Sequence, residues 1–418
     1  MNVNDLMNNF KPGVVVPDGE AIAERYVLDR MIKRGGYGVV FAGHKESDAS
    51  QEYALKFYFE SGAHGGEAEA GILARLQRHP GVVKVHGRFS GRTLNYLVME
   101  LAQSSLYDVI AARRKDHTDP VRFSAQEIID IGKQLANTLQ YAQETACLEF
   151  HGDINPKNVL LFPGRYLGNK QFDTVYKLSD FGLALSKERV AFLEKQHSIT
   201  SHAKIRGTSG YISPEWRNPQ VKKDGRVDIW SFGVLLQELL IGIPIEDQND
   251  FKKRALTPAD VGVVVPKPLE VLIYRCFAGE RNDRPKNFSE VLQQLESITP
   301  AVLQYSTLTT LLQNPFSSVA KLQEVHRLFR QGEQQFTDKE KNSLLGLLKV
   351  AGGTFVKKAD ATCKRYSSEV PPSDQIQSWK LRPEALAYCH NVYELSAAFR
   401  LFFPELRAEP ELKEIFEE

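Results

Sequence analysis

The sequence predicts an α+β chain: a small, mainly antiparallel β-sheet with one helix, then a larger helical lobe, then a separate all-helical module. Three observations carry this. Residues 25–58 run as strand-like segments (RYVLDRMI, VVFAGH, EYALKFYF) around a glycine turn. Helical periodicity takes over in Ala125–Gln143, Asp228–Ile241 and Lys267–Cys276. Beyond Thr299, the sequence Thr337-Asp338-Lys339-Glu340 reads as a capping box ahead of the apolar Leu344, Leu345, Leu347 and Leu348.

In order along the chain, residues 1–23 are non-periodic, carry Asn and Pro, and read as a leader. The Gly-rich joint Ser61 to Gly66 leads into a short helix from Glu67 to Gln77, followed by the strand signals VVKVHG and LNYLVME. The change of character after Glu100 marks a joint between two lobes, and such joints are preferred ligand sites. Pro371-Pro372 marks a loop, and Pro383 opens an amphipathic segment reaching Phe403. The expected domains are therefore 1–23, 24–299 and 300–418.

Bulk properties narrow the function. The 418 residues hold 53 Lys and Arg against 52 Asp and Glu, so no global basic field would draw the chain to nucleic acid. Its hydrophobic fraction of 42% and charged fraction of 25% are those of a globular protein rather than a disordered one. Trp230 to Ile245 is the most apolar stretch, but Gln237 and Glu238 interrupt it, and no membrane span is expected. Cys147, Cys276, Cys363 and Cys389 lie far apart without metal spacing, which suits free thiols in a reducing compartment. No secretory or lipidation signal is read at the termini, and the expected location is cytoplasmic.

Four segments carry chemistry. Gly35-Gly36-Tyr37-Gly38 joins two strands as a hairpin, where a dinucleotide fingerprint would run from strand into helix. Glycines there let backbone N–H groups close over phosphates. Lys56 ends the apolar Ala54-Leu55-Lys56, and a lysine facing a cleft is costly unless phosphate or carboxylate pairs it. Glu69 shares a helical face with Leu73 and Leu76 and so points inward, whereas Glu67 lies off that face. In His151-Gly152-Asp153-Ile154-Asn155-Pro156-Lys157-Asn158, the aspartate can accept the proton of an attacking hydroxyl and the Asn158 carbonyl oxygen is a hard Mg²⁺ ligand. The carboxylate of Asp180, in Ser179-Asp180-Phe181-Gly182, would complete the metal site.

As an ordered set these segments resemble the eukaryotic-type protein kinase family, over about residues 24–298, through counterparts of its VAIK, HRD-to-N, DFG and APE motifs. The resemblance implies the two-lobed kinase fold and transfer of the γ-phosphoryl group of ATP to serine or threonine hydroxyls of protein substrates, with Mg²⁺ as the metal and Mn²⁺ as its substitute. It implies that Lys56 contacts the ATP phosphates and pairs with Glu69, that Asp153 is the base, and that Asn158 and Asp180 hold the metal. Gly35, Gly36 and Gly38 would cover the phosphates. Ile32, Val40, Ala54 and Leu160 would form the adenine slot, with Met99 as gatekeeper and Glu100 to Ala102 as hinge. Ser213-Pro214-Glu215 stands for APE, preceded by Gly207-Thr208 as in Ser/Thr kinases. The block from Asp228 to Gly233 resembles the helix that anchors the catalytic loop, and Arg284 is placed to pair with Glu215.

Three departures bear on function. Lys33 occupies the first loop-glycine position. Gly152 stands where most members have arginine. Asn155 replaces the lysine two residues after the aspartate, and Lys157 is placed to reach the same space. The HGDxxxxN form is shared with aminoglycoside and choline phosphotransferases, so a small-molecule kinase is the alternative. The DFG triplet, the long activation segment and the SPE block weigh against it. A pseudokinase scaffold is a third reading, with Lys56, Asp153 and Asp180 all intact against it. For the C-terminal helices a structural buttress, self-association, autoinhibition and recruitment of substrate or a regulatory partner stay open.

Overall fold

The computed structural model describes residues 2–17, 25–36, 38–59, 63–91, 94–115, 123–164, 166–167, 170–171, 173–186, 190, 208–218, 221, 223–242, 265–313, 319–332, 334–351, 398 and 401–404. Most of the activation segment, including Ser198, Thr200, Ser201, Lys204, Arg206 and Gly207, lies outside them, as do Tyr37, Cys363, Cys389 and residues 371–397. The chain divides into two compact units, one of residues 1–261 and 271–297, the other of residues 262–270 and 298–418.

The first unit is built on a six-stranded antiparallel sheet in the order β1-β2-β3-β4-β6-β5. Its strands are β1 (Val14–Pro17), β2 (Arg25–Arg34), β3 (Gly38–Lys45), β4 (Asp48–Tyr58), β5 (Val85–Ser90) and β6 (Asn95–Glu100). One face is filled with aromatic rings. Phe41 meets Phe57 edge-on at 5.7 Å between centroids, and Tyr96 lies 4.6 Å from Phe57 and 4.9 Å from Phe89. Such pairs add to the area term of apolar burial. Gly38 is obligatory where β3 begins, because a Cβ there would stand 1.9 Å from the Phe57 carbonyl oxygen.

The first residues depart from the leader expected of them. Helix α1 (Val3–Asn8) opens with a reciprocal capping box between Asn2 and Asp5, and β1 pairs with β2. Val3, Leu6 and Val16 are buried in the aromatic core, and the Phe10 ring lies 4.8 Å from Phe41. A six-residue helix and a four-residue strand are too short for periodicity to register. Their apolar residues are nonetheless spaced to cover the sheet.

Helix α2 (Ala63–Leu76) packs against the turn Phe181–Leu183 and against β6 and β5, and buries Leu73 and Leu76. In the larger lobe, the helix Ala125–Glu144 is capped by Ser124 and Glu127 and buries one face. The helix Arg226–Ile241 is buried on all sides from Val227 onward, which is why apolar residues occupy every face of it, with Asp228, Ser231, Gln237 and Glu238 as its buried polar residues. It ends on Gly242 in the left-handed conformation. No helix among the described residues is long and apolar enough to cross a membrane.

The second unit is helical where it is described, with helices Pro300–Gln313 and Val319–Gly332 and a further one over residues 338–351. The Thr337 capping box forms: the Thr337 N–H donates to Glu340 Oε2 at 2.8 Å, and the Glu340 N–H donates back to Thr337 Oγ1 at 3.3 Å. Leu308, Leu322, Val325, Phe329, Leu344, Leu348 and Phe403 share one core.

Candidate active site

A cleft of about 620 Å³ opens within the first unit. Ile32, Val40, Ala54, Met99 and Leu160 line it with apolar surface, and the glycine hairpin contributes Gly35, Gly36 and Gly38. Glu100 and Ala102 lie along the connection between the lobes, and Lys56, Lys157, Asn158 and Asp180 supply polar groups. Residues spread over about 150 positions of sequence therefore converge on one cavity, with Glu69 and Asp153 placed against members of its lining.

At its polar end, Lys56 Nζ donates to Glu69 Oε1 and Oε2 at 2.9 and 2.8 Å, and to Asp180 Oδ1 at 2.8 Å. Lys56 and Glu69 are both buried. Burial pulls the Lys56 ammonium down, but the two carboxylates outweigh it and hold the pKa above the ordinary lysine value. Burial likewise pushes Asp180 up, and the charge and hydrogen bond of Lys56 reverse this, leaving its carboxyl below the usual range. Glu67 lies on the exposed side of the helix and pairs with Arg88 at 2.9 Å. Asp180 adopts a left-handed backbone, φ 62°, which is uncommon for a residue with a side chain and sets its carboxylate beside Lys56.

The Asp153 loop is tied down by several partners. Asp228, from the long buried helix, accepts the backbone N–H groups of His151 and Gly152 at 2.6 and 2.9 Å. Burial pushes its carboxyl up to about 6, against the opposing pull of His151 and the two N–H groups. The His151 ring takes the Asp153 N–H on Nδ1 at 3.3 Å and donates from Nε2 to the Ser179 carbonyl at 3.1 Å, so it joins the Asp153 loop to the Asp180 segment. Asp153 Oδ2 accepts the Asn158 side-chain N–H at 2.9 Å, while Oδ1 accepts both the N–H and the hydroxyl of Thr208. Gly152 has φ +82°, a conformation in which any L side chain is strained.

Asn155 braces this loop: it accepts the Lys157 N–H at 2.9 Å and donates to the Asp153 carbonyl at 3.0 Å. Lys157 brings a cation to the cleft, its Nζ 4.7 Å above the Tyr107 ring, and Lys33 lines the same cleft close enough to feel the charges of Asp180, Lys157 and Asp153. Below the loop, Arg284 pairs with Glu215 through two parallel bonds at 2.6 and 3.0 Å and stacks on Trp230, all three buried.

Sequence reasoning missed Tyr58, Val83, Tyr107 and Asp108. Val83 and the pair on the helix Leu106–Lys115 line the cleft and belong to no motif. Tyr58 touches Glu69 directly, and its position two residues past Lys56 was the available signal.

The donor set suits a hard divalent cation. The Asn158 amide nitrogen is committed to Asp153, which leaves its carbonyl oxygen as the acceptor in the cleft, beside the carboxylate of Asp180. Two oxygens from protein, the rest from phosphates and water, match the way Mg²⁺ is usually bound.

Against known proteins, the protein kinase domain profile matches residues 26–298. The chain is 25% identical over 303 residues to a probable serine/threonine-protein kinase of Clostridium acetobutylicum, an alignment covering 67% of this chain and 41% of that protein. It is 28% identical over 236 residues to the calcium/calmodulin-dependent protein kinase type 1 of Caenorhabditis elegans, covering 55% of this chain and 60% of the relative. With mitogen-activated protein kinase 8 of Arabidopsis thaliana the identity is 30% over 240 residues, covering 53% and 36%. The alignments thus span between about one third and three fifths of the length of these curated relatives.

Proposed function

Since this chain belongs to the protein kinase family, whose members use ATP and a divalent metal, we propose that it transfers the γ-phosphoryl group of ATP to serine or threonine hydroxyls of protein substrates, with Mg²⁺ as the metal. The observation that carries the reading is Asp153, held at once by Asn158 from the metal side and by Thr208 from the end of the activation segment. A base tied to that segment is poised for a hydroxyl presented on a peptide, and Thr208 occupies the position where Ser/Thr kinases carry threonine.

In this reading the apolar walls at Ile32, Val40, Ala54 and Leu160 take the adenine, Met99 is the gatekeeper and the Glu100–Ala102 backbone is the hinge. Lys56 holds phosphate oxygens and is itself kept charged and oriented by Glu69. Asn158 and Asp180 would hold the metal, which when bound screens the negative charge of the transferring phosphoryl group. Asp153 takes the proton of the attacking hydroxyl, and Lys157 offers a cation near the phosphoryl group in place of the lysine that Asn155 replaces. The spacing of the cysteines supports a cytoplasmic location.

The test incubates the full chain with γ-labelled ATP and Mg²⁺ in a protein mixture and in a mixture of small alcohols, with Asp153→Asn alongside. Label on serine and threonine of proteins, lost in the variant, is expected. Label on a small alcohol alone identifies a small-molecule phosphotransferase, and no label in either mixture a pseudokinase.

A further inference from the structure

The Lys56–Glu69 pair has a third member that no kinase motif assigns. Tyr58 sits at the end of β4, two residues past Lys56, and side chains two apart on a strand leave the same face. Its hydroxyl donates to Glu69 Oε2 at 2.9 Å, and its ring lies 5.3 Å below the Lys56 ammonium. One side chain therefore touches both partners of the pair.

Glu69 is 1% exposed, so its carboxylate depends on protein donors alone. Those donors are Lys56 on both oxygens, the Phe181 N–H at 3.2 Å, and Tyr58. Lys56 is shared with Asp180, and Phe181 belongs to the segment that carries Asp180. Both would be disturbed when nucleotide and metal engage Lys56 and Asp180. Tyr58 belongs to the sheet and is engaged by neither, so it is the donor that stays. Burial and the Glu69 charge suppress ionisation of its hydroxyl, which remains a donor throughout the physiological range.

We propose that the Tyr58 hydroxyl is a latch that fastens helix α2 to β4 through Glu69, keeping the Lys56–Glu69 pair closed without the help of an arginine at position 152. Gly152, where most family members carry arginine, offers no guanidinium for a phosphate to bind, so the closed pair relies on donors from the sheet side. Tyr58 is thus a positioning residue, and the proposal rests on the phosphotransfer reading above for its catalytic consequence though not for its structural one.

The experiment uses the full chain as parent, Tyr58→Phe, Glu69→Gln and the double variant. Amide hydrogen exchange is followed in residues 67–76 and, as control, in the strands of residues 85–100. In Tyr58→Phe, exchange in the helix is expected to rise about tenfold or more while the strands stay within about twofold, as local opening through one lost charged hydrogen bond would give. Phosphotransfer at saturating ATP falls about tenfold in the same variant. Adding Tyr58→Phe to Glu69→Gln lowers it no further, because the hydroxyl acts only through that carboxylate. Unchanged helix exchange, a uniform rise across helix and strands, or independent multiplying effects in the double variant each overturn the latch. A parent that labels no protein yet shows the expected exchange pattern leaves the latch standing and defeats the phosphotransfer reading instead.

Discussion

Thr208 gives both its backbone N–H and its hydroxyl to one oxygen of Asp153, at 2.8 and 2.9 Å. The end of the activation segment is thereby pinned to the proposed base. Thr208→Ser keeps both bonds and is expected to retain phosphotransfer within a few-fold. Thr208→Val removes the hydroxyl at nearly constant volume and should lower kcat about tenfold, the scale of one hydrogen bond to a charged group. Equal activity of the two variants would show that the hydroxyl bond plays no part in positioning Asp153.

Asp153 and Asp180 separate chemistry from binding. Asp153→Asn is expected to cost about 10²- to 10⁴-fold in kcat, the usual scale for loss of a general base, while ATP still binds. Asp180→Asn should be at least as severe and should also raise the Mg²⁺ concentration needed for half-maximal activity. Near-normal turnover in a folded Asp180→Asn protein would mean that the metal site is misassigned.

The Arg284–Glu215 pair is structural. Both charges are buried, and removing one partner strands the other. Glu215→Gln and Arg284→Met should each destabilise the first unit by about 3–5 kcal/mol, visible as a lowered denaturant midpoint. Replacing both together should recover part of the loss. Additive losses in the double variant would argue against a coupled pair.

Asp228 sets a pH signature. Burial raises its carboxyl from an ordinary value near 3.8 to about 6, with His151 and the two N–H groups pulling down and Glu149 pushing up. The native state therefore binds this proton more tightly than the unfolded chain. Its stabilising share is complete below pH 4 and is lost as pH rises through 6. About two pKa units correspond to about 3 kcal/mol. Relative to Asp228→Asn, the parent should lose about that much stability between pH 4 and 7. Parallel pH profiles would show that Asp228 titrates near its ordinary value.

Gly152 predicts that a phosphate switch is dispensable. With no arginine beside Asp153, a phosphate on Ser198, Thr200 or Ser201 lacks its main partner in the catalytic loop. Replacing all three by alanine should leave kcat on an exogenous substrate within about threefold. A drop of about a hundredfold or more with ATP binding intact would establish a switch of a different construction. Gly152→Arg should not create one cleanly, because φ +82° strains any side chain there.

Much of this site was legible because its residues are set by chemistry that tolerates few substitutes. Lys56, Asp153, Asn158 and Asp180 stand in short motifs, and the helical face of Leu73 and Leu76 was enough to choose Glu69 over Glu67. Other parts are written in contacts made at a distance. Nothing local to Asn155 shows that its amide braces the Asp153 loop, and nothing near Thr208 shows that both of its donors reach one oxygen. Tyr58 reads as one more aromatic on an apolar strand until helix α2 is laid against it. The first 17 residues went unread because their elements are shorter than the window in which periodicity can be seen.

The strand Val14–Pro17 has a practical consequence for anyone handling this protein. It occupies the open side of β2, whose N–H and C=O groups would otherwise face water in an unpaired row. The domain profile begins at residue 26, and a recombinant fragment cut at that boundary would discard this cover together with Leu6 and Phe10. The exposed margin would then invite strands of neighbouring molecules, and turbid, poorly soluble preparations would say more about the cut than about the protein.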